Sequence, residues 1–142
     1  MLQATIAGDT KTMEEILQFA HDTESPILSY NNEIELSVVV NLCYLSARNK
    51  YHMKREEKAG KSFVDLIFYP ERKSDDCIIL ELKVDSTPEE AIDQIKNKNY
   101  ALCFKGALGE KQMYTGRILA VGISYNKESK KYSCKVEVLE AI

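Results

Sequence analysis

Two apolar runs with charged residues inside them constrain this chain more than any other feature of its sequence. The first run is FVDLIFY at residues 63–69, and the second is IILELKV at residues 78–84. Asp65 lies in the middle of the first run, and Glu81 and Lys83 lie two residues apart near the end of the second. A charge inside a core strand is costly unless it is paired or binds a metal. The runs therefore predict adjacent antiparallel strands whose charged residues meet at one site.

The alternation of a β-strand determines which of these side chains can meet. Residues two apart point to the same face, so Glu81 and Lys83 share a face and Asp65 can lie beside them. Hard cations such as Mg²⁺ bind one or two carboxylates and keep several waters. We therefore expect Asp65, Glu81 and the backbone carbonyl of Leu82 to hold Mg²⁺ (or Mn²⁺). Such an ion activates a water and polarises a phosphoryl oxygen, and Lys83 would orient that water or stabilise charge on the phosphate.

Composition and charge limit the classes of protein to which the chain can belong. A length of 142 residues, of which 29% are charged and 44% hydrophobic, fits one globular domain. No stretch approaches the ~20 apolar residues that span a bilayer, and the first residues lack the pattern of a secretory signal. The net charge of -3 argues against strong nonspecific nucleic-acid binding. It does not exclude a nuclease, because a carboxylate site itself adds negative charge.

The cysteines show neither a disulfide framework nor a zinc site. They are widely spaced, contain no CxxC pair and mostly fall in apolar runs, at Cys43, Cys77, Cys103 and Cys134. Cysteines of this kind are typical of reduced, buried side chains in an intracellular protein. We therefore expect a cytoplasmic location.

Hydrophobic periodicity and capping residues predict an alternation of helices and strands. The predicted helices are 9–21, 31–48 and 87–102, and the predicted strands are 51–54, 62–69, 77–84, 118–125 and 132–139. Within the second helix, residues 36–45 are apolar nearly all round, which predicts deep burial, although the β-branched run 38–40 leaves a strand as the competing interpretation. The order predicts an α/β fold with a central mixed sheet of about five strands, flanked by helices 31–48 and 87–102.

The charged pattern resembles the signature of the PD-(D/E)XK nuclease superfamily, whose members have a restriction-endonuclease-like core. Asp65 and the run Glu81-Leu82-Lys83 match its D…ExK pattern, although Val64 replaces the proline of its name. The order α-β-β-β-α-β around these residues also fits the superfamily core. Further matches resemble the nuclease-like domain that follows an AAA-type ATPase domain in many bacterial proteins, and they lie within residues 28–139, at 32–37, 44–48, 59–65, 90–100 and 118–123.

The resemblance implies two further catalytic residues. Glu33, at the start of the long helix, occupies the place where the superfamily often has an acidic residue facing the metal, and Glu35 is the alternative. Gln94 lies on the helix after the ExK run, where many members carry an active-site glutamine or lysine.

The resemblance implies a metal-dependent nuclease that hydrolyses phosphodiester bonds, with DNA preferred to RNA. Residues 1–27 would be an N-terminal helix and connector, and residues 28–142 the nuclease-like domain. The ATPase domain of the parent family is absent from this chain, which contains no GxxxxGK[ST] loop. A homodimer through the apolar helix is a further expectation. The alternative is an inactive nuclease-like domain that binds nucleic acid or protein, in which the charged cluster consists of structural ion pairs.

Two smaller groups of residues have open interpretations. The basic residues before the first charged run form either a phosphate-facing rim or a mixed solvated turn, and they are Lys54, Arg55, Lys58 and Lys61. Neither histidine has a partner at metal-ligand spacing, so we expect His21 and His52 to be solvated or locally paired.

Overall fold

The computed structural model describes most of the chain. It covers residues 1–24, 33–57, 64–98, 104 and 114–139, with the backbone alone at 24, 33–35, 56, 57, 64 and 65. The helices are α1 (Leu2–Ala7), α2 (Thr10–Glu24), α3 (Glu33–Cys43), a 3-10 helix (Leu45–Asn49) and α4 (Pro88–Asn97). The strands are β1 (Tyr51–Glu57), β2 (Val64–Pro70), β3 (Cys77–Val84), β4 (Ile118–Asn126) and β5 (Lys131–Leu139).

The described strands form a single mixed sheet in the order β1-β2-β3-β4-β5. The pairs β1-β2, β2-β3 and β4-β5 are antiparallel, whereas β3 and β4 are parallel. Two parallel neighbours need a crossover connection, and α4 lies in the connection between β3 and β4. The predicted α/β fold, with a mixed sheet of five strands between helices, is confirmed.

The sheet separates two hydrophobic cores, because alternate residues of each strand point to opposite faces. One face packs against α1, α2 and α3, and we call it the α3 face. Its buried residues include Met13, Leu17, Leu36, Val39, Leu66, Leu80, Leu82, Val121 and Cys134. The other face packs against α4, and we call it the α4 face. Its buried residues include Ile67, Cys77, Ile79, Ile92, Ile95, Phe104 and Ala120.

The second predicted helix, 31–48, differs from the observed structure in length and burial. The α-helix ends at Cys43, and a 3-10 helix takes the chain to β1. The expectation of deep burial all round is wrong, since Val38, Leu42 and Leu45 are 49%, 40% and 50% exposed. The helix covers the sheet with one side only, so the apolar residues of its other side face solvent. The strand alternative at 38–40 is also wrong.

Leu2–Ala7 form a helix that was not predicted from the sequence. α1 is attached to the domain by a buried hydrogen bond of 2.7 Å between the hydroxyl groups of Thr5 and Tyr44. Tyr44 lies directly after α3 and packs edge-on against Phe68 of β2. The hydrogen bond therefore joins α1 to the core on the α3 face.

No helix in the described part of the chain is long and apolar enough to cross a membrane.

Helix α4 begins as its capping residues predict. The side chain of Thr87 accepts a hydrogen bond of 3.1 Å from the backbone N–H of Glu90, and Pro88 occupies the first turn. A hydroxyl cap satisfies one of the orphan N–H groups of a helix start, and proline lacks the N–H that would be orphaned there. The start of α4 is therefore fixed directly after β3.

His21 is buried, so the expectation of a solvated or locally paired side chain is wrong. Its Nδ1 is hydrogen-bonded to the hydroxyl of Tyr132 at 2.9 Å, and its ring stacks on Tyr125 with centroids 4.8 Å apart. These contacts hold α2 against β4 and β5. Burial lowers the pKa of His21, and the nearby charge of Asp22 opposes this effect.

The lowered pKa of His21 predicts a loss of stability in mild acid. The unfolded chain binds a proton at His21 near the ordinary pKa of 6.5, whereas the folded state resists protonation. The stabilisation is therefore complete above that value and declines as the pH falls below it. We expect the difference in unfolding free energy between wild type and the non-titrating variant His21→Phe to narrow below pH 6.5 in urea titrations. A constant difference between the two proteins at all pH values would contradict this.

Candidate metal and nuclease site

The central strand β3 carries two charged residues into the interior. Glu81 is 0% exposed and Lys83 is 9% exposed, and they alternate with Leu80 and Leu82, which belong to the core of the α3 face. Because side chains alternate along a strand, Glu81 and Lys83 both lie on the α4 face. Glu81 and Lys83 therefore share one face of the sheet, as the alternation along the strand predicted.

Asp65 lies directly opposite Glu81 in the antiparallel pairing of β2 with β3. Opposite positions in such a pair are on the same face and have neighbouring Cβ atoms. The backbone register thus brings positions 65 and 81 together, as the two charged runs predicted. The side chain of Asp65 lies outside the described part of the molecule. Leu82, whose carbonyl is the predicted third oxygen ligand, pairs with Val64 on one side and Ile123 on the other.

Lys98 is a member of the site that the sequence analysis missed. It is the residue directly after α4, and its Nζ lies 3.1 Å from Oε1 of Glu81. The Lys98 side chain is 14% exposed and that of Glu81 is 0% exposed, so this ion pair is almost completely buried. The sequence contained a signal for this residue. Lys98 follows Gln94 by four residues and so lies on the same side of the helix.

Gln94 lies on α4 with its side-chain carbonyl directed away from solvent. The helix packs on the sheet through Ala91, Ile92 and Ile95, and Gln94 is half-buried beside them. Its Oε1 atom is buried and accepts no hydrogen bond from the described groups of the protein. A buried oxygen without a donor costs free energy, so this atom is suited to a ligand, a water or a cation.

Gly122 allows α4 to approach the sheet beside Glu81. It lies opposite Glu81 in the parallel pairing of β3 with β4. A Cβ atom at this position would overlap the backbone carbonyl of Pro88 and lie 3.2 Å from the Cβ of Ala91. The absence of a side chain therefore lets the first turn of α4 rest directly on β4, which positions the rest of the helix over the site.

The other predicted site residues are the acidic residues at the start of α3 and the basic residues of the predicted rim. Glu33 is the first residue of α3, but its side chain and that of Glu35, its alternative, lie outside the described part. Lys54 and Arg55 pair with Ile67 and Leu66. Only Lys54 therefore shares the α4 face with Glu81, so these two neighbours do not form one phosphate-facing rim. The remaining members of that rim, Lys58 and Lys61, also lie outside the described residues.

The oxygen atoms at this site are of the kind that a hard cation binds. Carboxylate and amide oxygens are the donors that Mg²⁺ prefers, and Glu81 and Gln94 supply one of each on the α4 face. Among the described side chains, no three histidine, cysteine or acidic residues lie close enough to hold a metal ion. The side chains of two predicted site residues, Asp65 and Glu33, lie outside the described part of the molecule. Glu81 and Gln94 thus offer oxygen donors of the right kind, while the described side chains do not by themselves form a complete ligand set.

The mixed sheet, the crossover helix and the ExK run on the central strand define a restriction-endonuclease-like α/β domain. The family model of the PD-(D/E)XK nuclease superfamily matches residues 34–134 of the chain. This match covers most of the chain, and the protein therefore belongs to the PD-(D/E)XK nuclease superfamily. Asp65, Glu81, Lys83, Gln94 and Lys98 fall inside the matched range, and Glu33 lies one residue before it. No curated protein matches the chain.

The close approach at Gly122 predicts that even a methyl group there disturbs the site. We expect Gly122→Ala to lower the free energy of unfolding by about 1–3 kcal/mol, because the added Cβ pushes α4 away from β4. Urea denaturation measures this change. Ser124→Ala, at a buried position two residues along the same strand, adds no atoms and is the matched control. A Gly122→Ala variant as stable as wild type would show that α4 adjusts without cost.

Proposed function

We propose that the protein is a metal-dependent nuclease that hydrolyses phosphodiester bonds of nucleic acid. The observation that carries this proposal is the buried pair Glu81 and Lys83 on β3, with position 65 opposite, in a chain of the PD-(D/E)XK superfamily. Burying charged groups in a central strand is expensive. Such an arrangement is well explained when those groups bind a cation and a phosphate.

In this proposal Asp65, Glu81 and the backbone carbonyl of Leu82 hold Mg²⁺ (or Mn²⁺). The bound ion would lower the pKa of a water and polarise a phosphoryl oxygen. The chain itself supplies carboxylate oxygens on two adjacent strands whose backbones are fixed by pairing. Ligands on paired strands keep their spacing better than ligands on loops do.

The remaining residues act on the water and on the phosphate. The ammonium group of Lys83 orients the attacking water or stabilises the negative charge that develops on the phosphate. The Oε1 atom of Gln94, which is buried and accepts no hydrogen bond from the described groups, can accept one from the water and so direct its lone pair. Glu33 would add a carboxylate from the start of α3. The two core strands, α3 and α4 would therefore contribute different functions to one site.

The substrate and partners follow from the same proposal. Phosphodiester chemistry implies a nucleic acid, and we propose DNA rather than RNA as the substrate. The exposed apolar residues of α3 and the following turn, Val38, Leu42 and Leu45, are where we propose that two copies of the chain meet.

A second candidate function is a nuclease-like domain that binds nucleic acid or protein without cutting it. The ion pair between Lys98 and Glu81 favours this candidate, because a lysine already neutralises the carboxylate that would hold the metal. The two functions differ in one measurable property, which is cleavage that requires a divalent ion.

The role of Lys83 predicts a large loss of cleavage on its removal. We expect Lys83→Ala to cut mixed DNA and RNA oligonucleotides at least about 100-fold more slowly than wild type in Mn²⁺, since one stabilising charge is lost from the transition state. The control is Lys96→Ala, which also loses a lysine but from an exposed ion pair with Glu137. Cleavage that survives Lys83→Ala unchanged would assign the activity to another site or to a contaminant.

Metal binding predicts a rise in stability that depends on Asp65. A ligand that binds only the folded state at about 100 times its Kd stabilises the protein by about 2.7 kcal/mol. We expect millimolar Mg²⁺ or Mn²⁺ to raise the Tm above its value in EDTA, and Asp65→Asn to abolish most of that rise. Asp93→Asn, which removes an exposed carboxylate from α4, should keep it. A wild-type Tm that is the same in metal and in EDTA would count against the metal site.

A further inference from the structure

The contact between Lys98 and Glu81 places a positive charge where the proposed metal would bind. Lys98 Nζ lies 3.1 Å from Oε1 of Glu81, and both side chains are shielded from solvent. In such surroundings Coulomb attraction is stronger than in water, and a charge that loses its partner is strongly destabilising. This ion pair is therefore a strong interaction of the metal-free protein.

Lys96, a lysine in the last turn of α4, shows how unusual this contact is. Lys96 Nζ lies 2.7 Å from Oε1 of Glu137, but these two side chains are 45% and 35% exposed. Exposed ion pairs contribute little to stability, because water and salt screen them. The chain thus has two lysines at one helix end, of which Lys98 reaches the buried carboxylate and Lys96 stays in solvent.

Two lysines lie on the Glu81 side of the sheet before any cation binds. Lys83 shares a face of β3 with Glu81, and Lys98 Nζ lies 3.1 Å from Oε1 of Glu81. A divalent ion that joined this set without any rearrangement would leave an excess of positive charge in a region of low dielectric. The ion would bind the same carboxylate that Lys98 contacts through Oε1, and the two positive charges repel each other there. Lys98 and a cation therefore compete for Glu81.

We propose that Lys98 is a positioning residue that holds the Glu81 carboxylate in the metal-free protein and competes with the divalent cation for it. The strength of this ion pair then sets the affinity of the site for metal. This inference rests on the proposed role of Glu81 as a metal ligand. It adds the residue directly after α4, outside the ExK run, as one that determines how tightly the site binds metal.

The test compares metal binding with stability in a variant that lacks the charge. Lys98→Met keeps most of the length and the apolar stem of the side chain but removes the ammonium group. We expect its Tm in EDTA to lie below that of wild type, because Glu81 loses a buried counter-charge. We expect its Mn²⁺ affinity, measured by isothermal titration calorimetry, to be about tenfold higher, since the competitor is gone. Its rise in Tm on addition of Mn²⁺ should exceed that of wild type.

Two additional variants keep the test decisive. Lys96→Met removes the same charge from the same helix without touching Glu81, so its Mn²⁺ affinity should match that of wild type. Lys98→Gln retains a neutral hydrogen-bond donor and provides the measurement if Lys98→Met does not fold. It should also bind Mn²⁺ more tightly than wild type.

The outcomes separate this inference from the proposed function. If wild type binds Mn²⁺ and the Lys98 variants bind it no more tightly than Lys96→Met does, Lys98 is only a structural support and the inference is overturned. If neither wild type nor the Lys98 variants bind Mn²⁺, both the inference and the metal site are overturned. If the Lys98 variants bind more tightly but wild type cuts no nucleic acid, the inference stands and the nuclease function is overturned.

Discussion

A fully buried carboxylate in the central strand is the constraint on which the site depends. Glu81 is 0% exposed, and its strand β3 lies between β2 and β4. Its charge must therefore be balanced by groups that the fold brings to it. Lys98, directly after α4, supplies a counter-charge at 3.1 Å, and Lys83 lies on the same face of β3. An unbalanced charge in this position would cost several kcal/mol. The docking of α4 therefore also determines whether the charge of Glu81 is balanced.

The position of α4 follows from three local features that act together. Thr87 and Pro88 start the helix directly after β3, and the parallel pairing of β3 with β4 requires a crossover at this point. Gly122 then lets the first turn touch the sheet beside Glu81. Once the helix is seated, its far end carries Gln94 and Lys98 on one side. A helix that serves as a crossover therefore also provides the polar side chains of the site.

Patterns with a short period were predictable, and contacts between distant elements were not. The alternation in β3 and the cap of α4 are properties of a few adjacent residues, so the bounds of β3 and the start of the helix follow from the sequence. The first strand was predicted as 51–54 but extends to Glu57. The burial of α3 depends on whether another element covers the side that faces away from the sheet. The apolar residues on that side predicted burial, but the side faces solvent. His21 pairs with Tyr132, which is 111 residues away, and no local signal encodes that contact.

The sequence by itself determined that Asp65, Glu81 and Lys83 lie in adjacent core strands, because alternation and the cost of buried charge leave few other arrangements. It also determined membership of the nuclease superfamily, since the matched residues 34–134 carry the D…ExK pattern in the order of its core. Only the tertiary structure decided that Lys98 neutralises Glu81. The reason is geometric: the two residues are 17 positions apart, and their distance depends on how closely α4 approaches the sheet, which packing at Gly122 sets.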